Sequence, residues 1–163
     1  MGDRELTPAV EVRPATADDA ALLLAWANDP VTRAGSFHTA RIPPDEHAAW
    51  LARTLVLPSR RLFIGMVGQE PVGQVRLDAG DGDEAEIGIS IAPDRRGQGF
   101  GAGLLAAGME AGRRDPAFTA ERFVARVRPG NEASIRLFEG AGFVLRETGR
   151  CDGAPCLIYE LRP

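Results

Sequence analysis

Four glycines at every second position, Gly97, Gly99, Gly101 and Gly103, set the tightest limit on how this chain folds. Each glycine gives up more backbone freedom on folding than any other residue, so such a run weakens a helix or a strand and needs a compensating use. Its flanks indicate that use. Glu84 to Ile91 alternates, with Ile87, Ile89 and Ile91 on one side and Glu84, Glu86, Gly88 and Ser90 on the other, which reads as a strand. Beyond the run, Leu104, Leu105 and Met109 recur at helical spacing. A strand therefore passes through a glycine loop into a helix. At such a junction free backbone N–H groups meet the positive end of the helix dipole, and no Cβ keeps an anion away. The stretch reads as a phosphate site, with Arg95 and Arg96 adding positive charge.

Composition narrows the class of protein around this site. The chain has 163 residues, enough for one domain with a sizeable core. Its net charge of −4, with no basic tail, argues against a general nucleic-acid or membrane-surface binder. No apolar run approaches the roughly 20 residues of a membrane span, no signal peptide is evident, and a cytoplasmic location is expected. Cys151 and Cys156 flank a turn and can face each other across a hairpin, but free thiols are the expected state in that compartment. No cluster of ligand types supports a metal site.

Taken in order, residues 1–8 are polar and expected to fray, and Ala9 to Pro14 reads as a first strand. Thr16 and Asp19 form a capping pair for a helix burying Leu22, Leu23 and Trp26, which Asn28-Asp29-Pro30 ends. A loop with Ser36, Phe37 and His38 leads to a second helix from Pro43-Pro44 to about Leu55, with Ala48, Leu51, Ala52 and Leu55 as its apolar stripe. Arg61 to Val67 and Pro71 to Leu77 are paired strands, and Glu84 to Ile91 is the strand that feeds the glycine loop. The helix after the loop runs to about Arg113. Arg122 to Val127 is a strand, and a short helix follows Pro129-Gly130-Asn131. Phe143 to Glu147 and Cys156 to Leu161 close the sheet. This order gives a mixed α/β sheet and not a fully parallel one.

Arg96-Gly97-Gln98-Gly99-Phe100-Gly101 resembles the Arg/Gln-x-x-Gly-x-Gly/Ala signature of the GNAT family of N-acetyltransferases. Ile91-Ala92-Pro93 before it, Asn131 to Ser134 and the exit Ala141-Gly142-Phe143 are similar to that family's pattern, and the order of elements agrees over residues 9–162. The resemblance implies a GNAT fold of α/β (α+β) class in residues 9–163: a mixed, mostly antiparallel sheet of about seven strands flanked by four helices. It implies transfer of the acetyl group of acetyl-CoA to a primary amine. In that reading Gly97, Gln98, Gly99, Phe100, Gly101 and Ala102, preceded by Arg96, hold the pyrophosphate. The backbone of Ile89, Ser90 and Ile91 pairs with the pantetheine arm, Asn131 bonds the cofactor near its thiol, and Arg136 reaches its outer phosphates or lies on a solvated helix face.

Two departures concern the chemistry. Where many members place a proton-donating Tyr this chain has Phe138, and where some place a basic Glu it has Arg126. The proton acceptor for the amine is then expected among Glu86, on the strand beside the cofactor, and His47, with Ser134 orienting a water or the thiol. Each also has a plain structural reading: a solvent-facing carboxylate, an imidazole packed on Trp50, and a helix-start serine.

The N-terminal half, with Trp26, Arg33, Phe37 and Trp50, is similar to a subgroup that acetylates nucleotide-linked amino sugars, as in pseudaminic acid biosynthesis. There the tryptophans would stack on the acceptor and Arg33 would clamp a phosphate, unless all three serve the core or a salt bridge. Protein N-termini, as in ribosomal-protein acetylation, and small amines such as polyamines or aminoglycosides are alternative acceptors. So, from a different class, are a non-catalytic acyl-CoA sensor and a nicotinamide oxidoreductase, since Gly97-x-Gly99-x-x-Ala102 also fits a dinucleotide fingerprint. The expected partner is a small-molecule amine, without nucleic acid or membrane, and the expected assembly a monomer or homodimer.

Overall fold

A computed structural model describes residues 9–118 and 120–163, so the frayed start expected over residues 1–8 lies outside the described residues. Seven strands form one sheet: β1 (Glu11–Pro14), β2 (Arg60–Val67), β3 (Glu70–Ala79), β4 (Glu84–Ile91), β5 (Arg122–Val127), β6 (Val144–Cys151) and β7 (Ala154–Leu161). Their spatial order is β1-β2-β3-β4-β5-β7-β6, and every neighbouring pair is antiparallel except β4 with β5. The fold is the mixed, mostly antiparallel seven-stranded sheet expected from the sequence.

Alternation along β2 sends side chains to two cores. Phe63 joins Val75, Leu77, Ile87, Phe123, Ala125 and Val127 under α4 (Phe100–Arg114) and α5 (Glu132–Gly140). Leu62 and Ile64 join Leu23, Trp26 and Leu51 under α1 (Ala20–Ala27) and α3 (Pro44–Val56). Each fully buried Leu, Ile or Phe is worth about 1.5–3 kcal/mol, so both faces of the sheet's centre contribute strongly. α4 lies unusually close to β3, because a Cβ at Gly108 would come within 2.6 Å of Val75 Cγ1 and one at Gly112 within 2.5 Å of Leu77 Cδ1. The spacing of these glycines thus seats the helix that follows the glycine loop.

The start of α1 is held as expected. Asp19 accepts the Thr16 backbone N–H at 2.8 Å and a two-pronged bond from Arg13 at 2.8 and 2.9 Å, and the Arg13 fork holds its carboxyl below the usual carboxylate range. Three expectations need correction. Asn28-Asp29-Pro30 does end α1, but Asp29 and Pro30 also open a further helix, α2 (Pro30–Gly35), so five α-helices are present among the described residues, four of them longer than a turn or two. On α3 the buried positions are His47, Leu51 and Thr54, whereas Ala48, Ala52 and Leu55 are exposed, a rotation of about one residue from the expected stripe. Cys151 and Cys156 are not free thiols: they are joined across the β6–β7 hairpin with Cα atoms 5.5 Å apart.

Candidate active site

The one parallel strand pair opens almost as soon as it forms. β4 and β5 pair only through Glu84 with Arg122, Ala85 with Phe123 and Glu86 with Val124. Beyond that point β4 continues to Ile91 against β3, and β5 continues to Val127 against β7. The two strands therefore part like a wedge, and residues 87–91 keep one backbone edge that no strand pairs among the described residues. Ile89 and Ile91 pack on the main core, while Ser90 accepts a bond from Gln74 Nε2 at 3.2 Å on the other face. An exposed strand edge of this kind is where an extended amide chain adds as a further strand.

The wedge leads into the glycine loop. Gly97 has φ +73° and Gly99 φ +82°, left-handed conformations that cost a glycine little and that turn successive N–H groups to one side. Gly99 is the N-cap of α4, and no side chain caps the helix start, which leaves the first-turn N–H groups for an outside acceptor. A Cβ at Gly101 would lie 3.2 Å from Leu137 Cδ1, so α5 sits directly beside this turn and brings the exposed Arg136 with it. An uncapped helix start behind left-handed, exposed glycines, at the end of an unpaired strand edge, fits a pyrophosphate followed by a pantetheine arm.

At the far lip of the wedge Asn131 caps α5. Its Oδ1 accepts the Ser134 N–H at 3.3 Å, and its Nδ2 points at Gly35, where a Cβ would be 3.1 Å away. The arginines of the loop correct the sequence reading: Arg95 pairs with Glu70, and Arg96 donates to Asp29 Oδ2 at 2.6 Å and Thr32 Oγ1 at 3.0 Å. The Arg96 guanidinium is thus turned to a carboxylate, which leaves the backbone N–H groups as the open donors of the loop.

The sequence profile described as the acetyltransferase (GNAT) domain matches residues 10–144. The chain belongs to the GNAT family. A curated relative, the uncharacterized N-acetyltransferase YfmK of Bacillus subtilis (strain 168), is 31% identical over 100 residues, which is 61% of this chain and 64% of that protein. The chain is thus matched over somewhat less than two thirds of that relative's length. Among solved structures, AAC(6')-Ib in complex with paromomycin and acetyl-CoA superposes with a TM-score of 0.81 at 23% identity, covering 94% of this chain and 93% of that one. Spermidine N-acetyltransferase from Vibrio cholerae, in complex with CoA and spermine, gives 0.80 at 19% identity over 94% and 95%. At these identities the structures show a shared fold. The dinucleotide reading loses its footing, because the loop follows the fourth strand of a mixed sheet and not the first strand of a βαβ unit.

Within this GNAT fold the proton-handling candidates separate. Glu86 is half-buried on the α1/α3 side of the sheet, at the point where β4 and β5 part, and its Oε2 lies 3.7 Å from Arg126 Nε. Its neighbour at that point is a guanidinium. A carboxylate on β4 thus faces position 126. His47 is only 5% exposed, tilted against Trp50 with ring centroids 5.4 Å apart, and burial pushes its imidazole below its usual pKa. It sits on α3 over β2, two strands from β4, with its ring packed on Trp50. Ser134 lies half-buried in the first turn of α5. Phe138 is in the main core, edge-on to Phe143 at 5.0 Å, and Tyr159 is buried and donates to Glu139 Oε1 at 2.8 Å.

The acceptor candidates are corrected too. Trp26 is 7% exposed inside the second core, with no ring face open for stacking, and Trp50 lies against the same core. Arg33 is engaged within its own segment: Nε donates to Ala27 O at 2.5 Å, Nη1 to His38 O at 2.7 Å and Nη2 to Ser36 Oγ at 3.2 Å. It shapes the loop carrying the half-buried Phe37 and has no free fork for a phosphate. What sequence reasoning missed is the sheet face around Glu86. There Arg60, Arg76, Arg122, Arg126 and Arg146 interleave with Asp78, Glu84, Glu86 and Glu160 across six strands. The period-2 polar positions of β3, β4 and β5 carried that signal, but only the register shows them as neighbours.

Proposed function

We propose that this chain is an acetyl-CoA-dependent N-acetyltransferase whose acceptor is a primary amine that also bears negative charge, as a nucleotide-linked amino sugar does. The observation that carries the reading is the wedge between β4 and β5, which ends at an uncapped helix start behind left-handed glycines. In this reading the N–H groups from Gly97 to Ala102 hold the pyrophosphate and the edge of Ile89 to Ile91 pairs with the pantetheine amides. Asn131 offers its Nδ2 near the thioester, and Arg136 stands beside the loop for the outer phosphates.

Bound there, acetyl-CoA supplies an acyl thioester at whose carbonyl carbon a C–N bond forms as the C–S bond breaks. The chain's own part is to align the amine and remove its proton, because an alkyl ammonium of pKa about 10 has no lone pair to attack with. Glu86 takes that proton, directly or through a water, and Arg126 Nε, 3.7 Å from its Oε2, orients the carboxylate. The departing thiolate finds no phenol at position 138, so its proton comes from solvent, with the Ser134 hydroxyl orienting a water or the thiol.

Charge around Glu86 supports the acceptor class. Arginines and carboxylates interleave on this face, and Arg126 is half exposed with a single carboxylate beside it. An amine that carries a phosphate or carboxylate finds there both a base, Glu86, and a counter-charge, the half-exposed Arg126. The test is an acceptor panel followed by release of free thiol from acetyl-CoA. A UDP-linked amino sugar is expected to exceed spermidine, kanamycin and N-terminal peptides by roughly 10-fold or more in kcat/KM, as one favourable charge contact allows. Preference for spermidine or kanamycin would contradict the acceptor class. Absence of thiol release with every amine, together with tight acetyl-CoA binding, would favour a sensor.

A further inference from the structure

The short helix α2 joins both lips of the wedge. At its start, Asp29 Oδ2 accepts the Thr32 N–H at 3.1 Å and the Arg96 Nη2–H at 2.6 Å, and Arg96 belongs to the loop that follows β4. At its end, Arg128, one residue beyond β5, donates from Nη1 to Ala34 O at 3.1 Å and Ser36 O at 3.0 Å, while Gly35 lies against Asn131. Six residues do not make a helix that stands alone in water, and none of these six is buried. Apolar burial therefore does not hold α2 in place; charge-assisted bonds at its two ends do. The Arg96–Asp29 pair is well sheltered, with the Asp29 side chain 15% exposed.

We propose that α2 is a strap across the wedge and that Asp29, Arg96 and Arg128 are positioning residues that couple occupancy of the glycine loop to the setting of the acceptor-side segment 30–38. This rests on the reading of the loop as the acetyl-CoA site. When the pyrophosphate orders the backbone around Gly97, it also fixes the root of the Arg96 side chain, and Asp29 passes that order to the start of α2. A ligand that rigidifies one segment lowers the entropic cost of ordering whatever is bonded to it. Arg128 holds the other end, so loosening either clasp frees the strap.

The experiment is hydrogen–deuterium exchange over residues 30–36, with and without saturating acetyl-CoA, alongside titration of acetyl-CoA binding. In the unaltered protein acetyl-CoA is expected to slow exchange there by ~10-fold. Asp29→Asn keeps a good helix cap but removes the charge that holds Arg96. In this variant the slowing is expected to vanish while acetyl-CoA affinity falls by no more than the same ~10-fold, as reciprocal coupling requires. Arg128→Ala is expected to lose it from the other end, and Asp29→Glu to recover part of it. A merely structural role would raise exchange with and without ligand equally and leave the ligand-dependent slowing intact, which would overturn the proposal. So would exchange over 30–36 that is unchanged or faster when acetyl-CoA binds the unaltered protein. If acetyl-CoA does not bind the unaltered protein at all, the reading of the loop falls, and the coupling falls with it.

Discussion

Replacing Gly99 or Gly101 by Asp is expected to abolish acetyl-CoA binding while leaving the fold intact. At Gly99 the backbone has φ +82°, which Asp tolerates at a cost of about 1–2 kcal/mol, and at Gly101 the nearest obstacle to a Cβ is the movable Leu137 side chain at 3.2 Å. Neither change therefore threatens the core. Each puts a carboxylate where the first-turn N–H groups of α4 await an anion. Two unit charges about 4 Å apart at an effective dielectric constant near 20 repel by about 4 kcal/mol, which lowers affinity roughly 100-fold or more even after partial relief by solvent. Calorimetric titration of each variant, with circular dichroism to confirm folding, checks this. Affinity within about 3-fold of the unaltered protein would remove the pyrophosphate from this loop.

Glu86→Gln is expected to lower kcat about 100-fold at neutral pH, the lower end of what a positioned general base contributes, with acetyl-CoA affinity unchanged. The carboxamide keeps the shape of the carboxylate but cannot take the amine's proton. The loss should shrink as pH rises toward the amine's own pKa near 10, where the free base is already present. Stability should hardly move, because the pair with Arg126 is 3.7 Å long and half exposed, and such pairs are worth about 0–1 kcal/mol. A pH–rate profile of both proteins with a productive amine measures the effect. Equal turnover at neutral pH would leave deprotonation to water, since His47 is enclosed under α3.

The elements carrying strong periodicity were legible in the sequence, and β4 and β5 begin and end where alternation begins and ends. The glycine loop was legible for the same local reason, because strand, turn and helix start are contiguous. What stayed hidden depends on contacts between distant residues. α2 is too short for an apolar stripe, and Asp29-Pro30, read as the end of one helix, is equally the cap and first position of the next. The face of α3 was assigned to its alanines, but burial went to His47, Leu51 and Thr54, because α3 rests on β2 and α1. Arg95 and Arg96 look like phosphate ligands until Glu70 and Asp29 arrive from 25 and 67 positions away in the chain. Arg126 looks like the loss of a base until the parallel register brings Glu86 beside it. The Cys151–Cys156 bond was geometrically visible across its turn, and an argument from compartment outweighed it.

The roles of the active-site residues depend on the wedge and the glycine loop receiving acetyl-CoA, and thermal unfolding with added ligand tests this most directly. Acetyl-CoA at about 100 times its dissociation constant should stabilise the folded chain by about 2.7 kcal/mol, a rise in Tm of roughly 5–10 °C for a protein of this size, and NAD should leave Tm unchanged. Stabilisation by NAD but not by acetyl-CoA would contradict the assignment of the loop and every role derived from it.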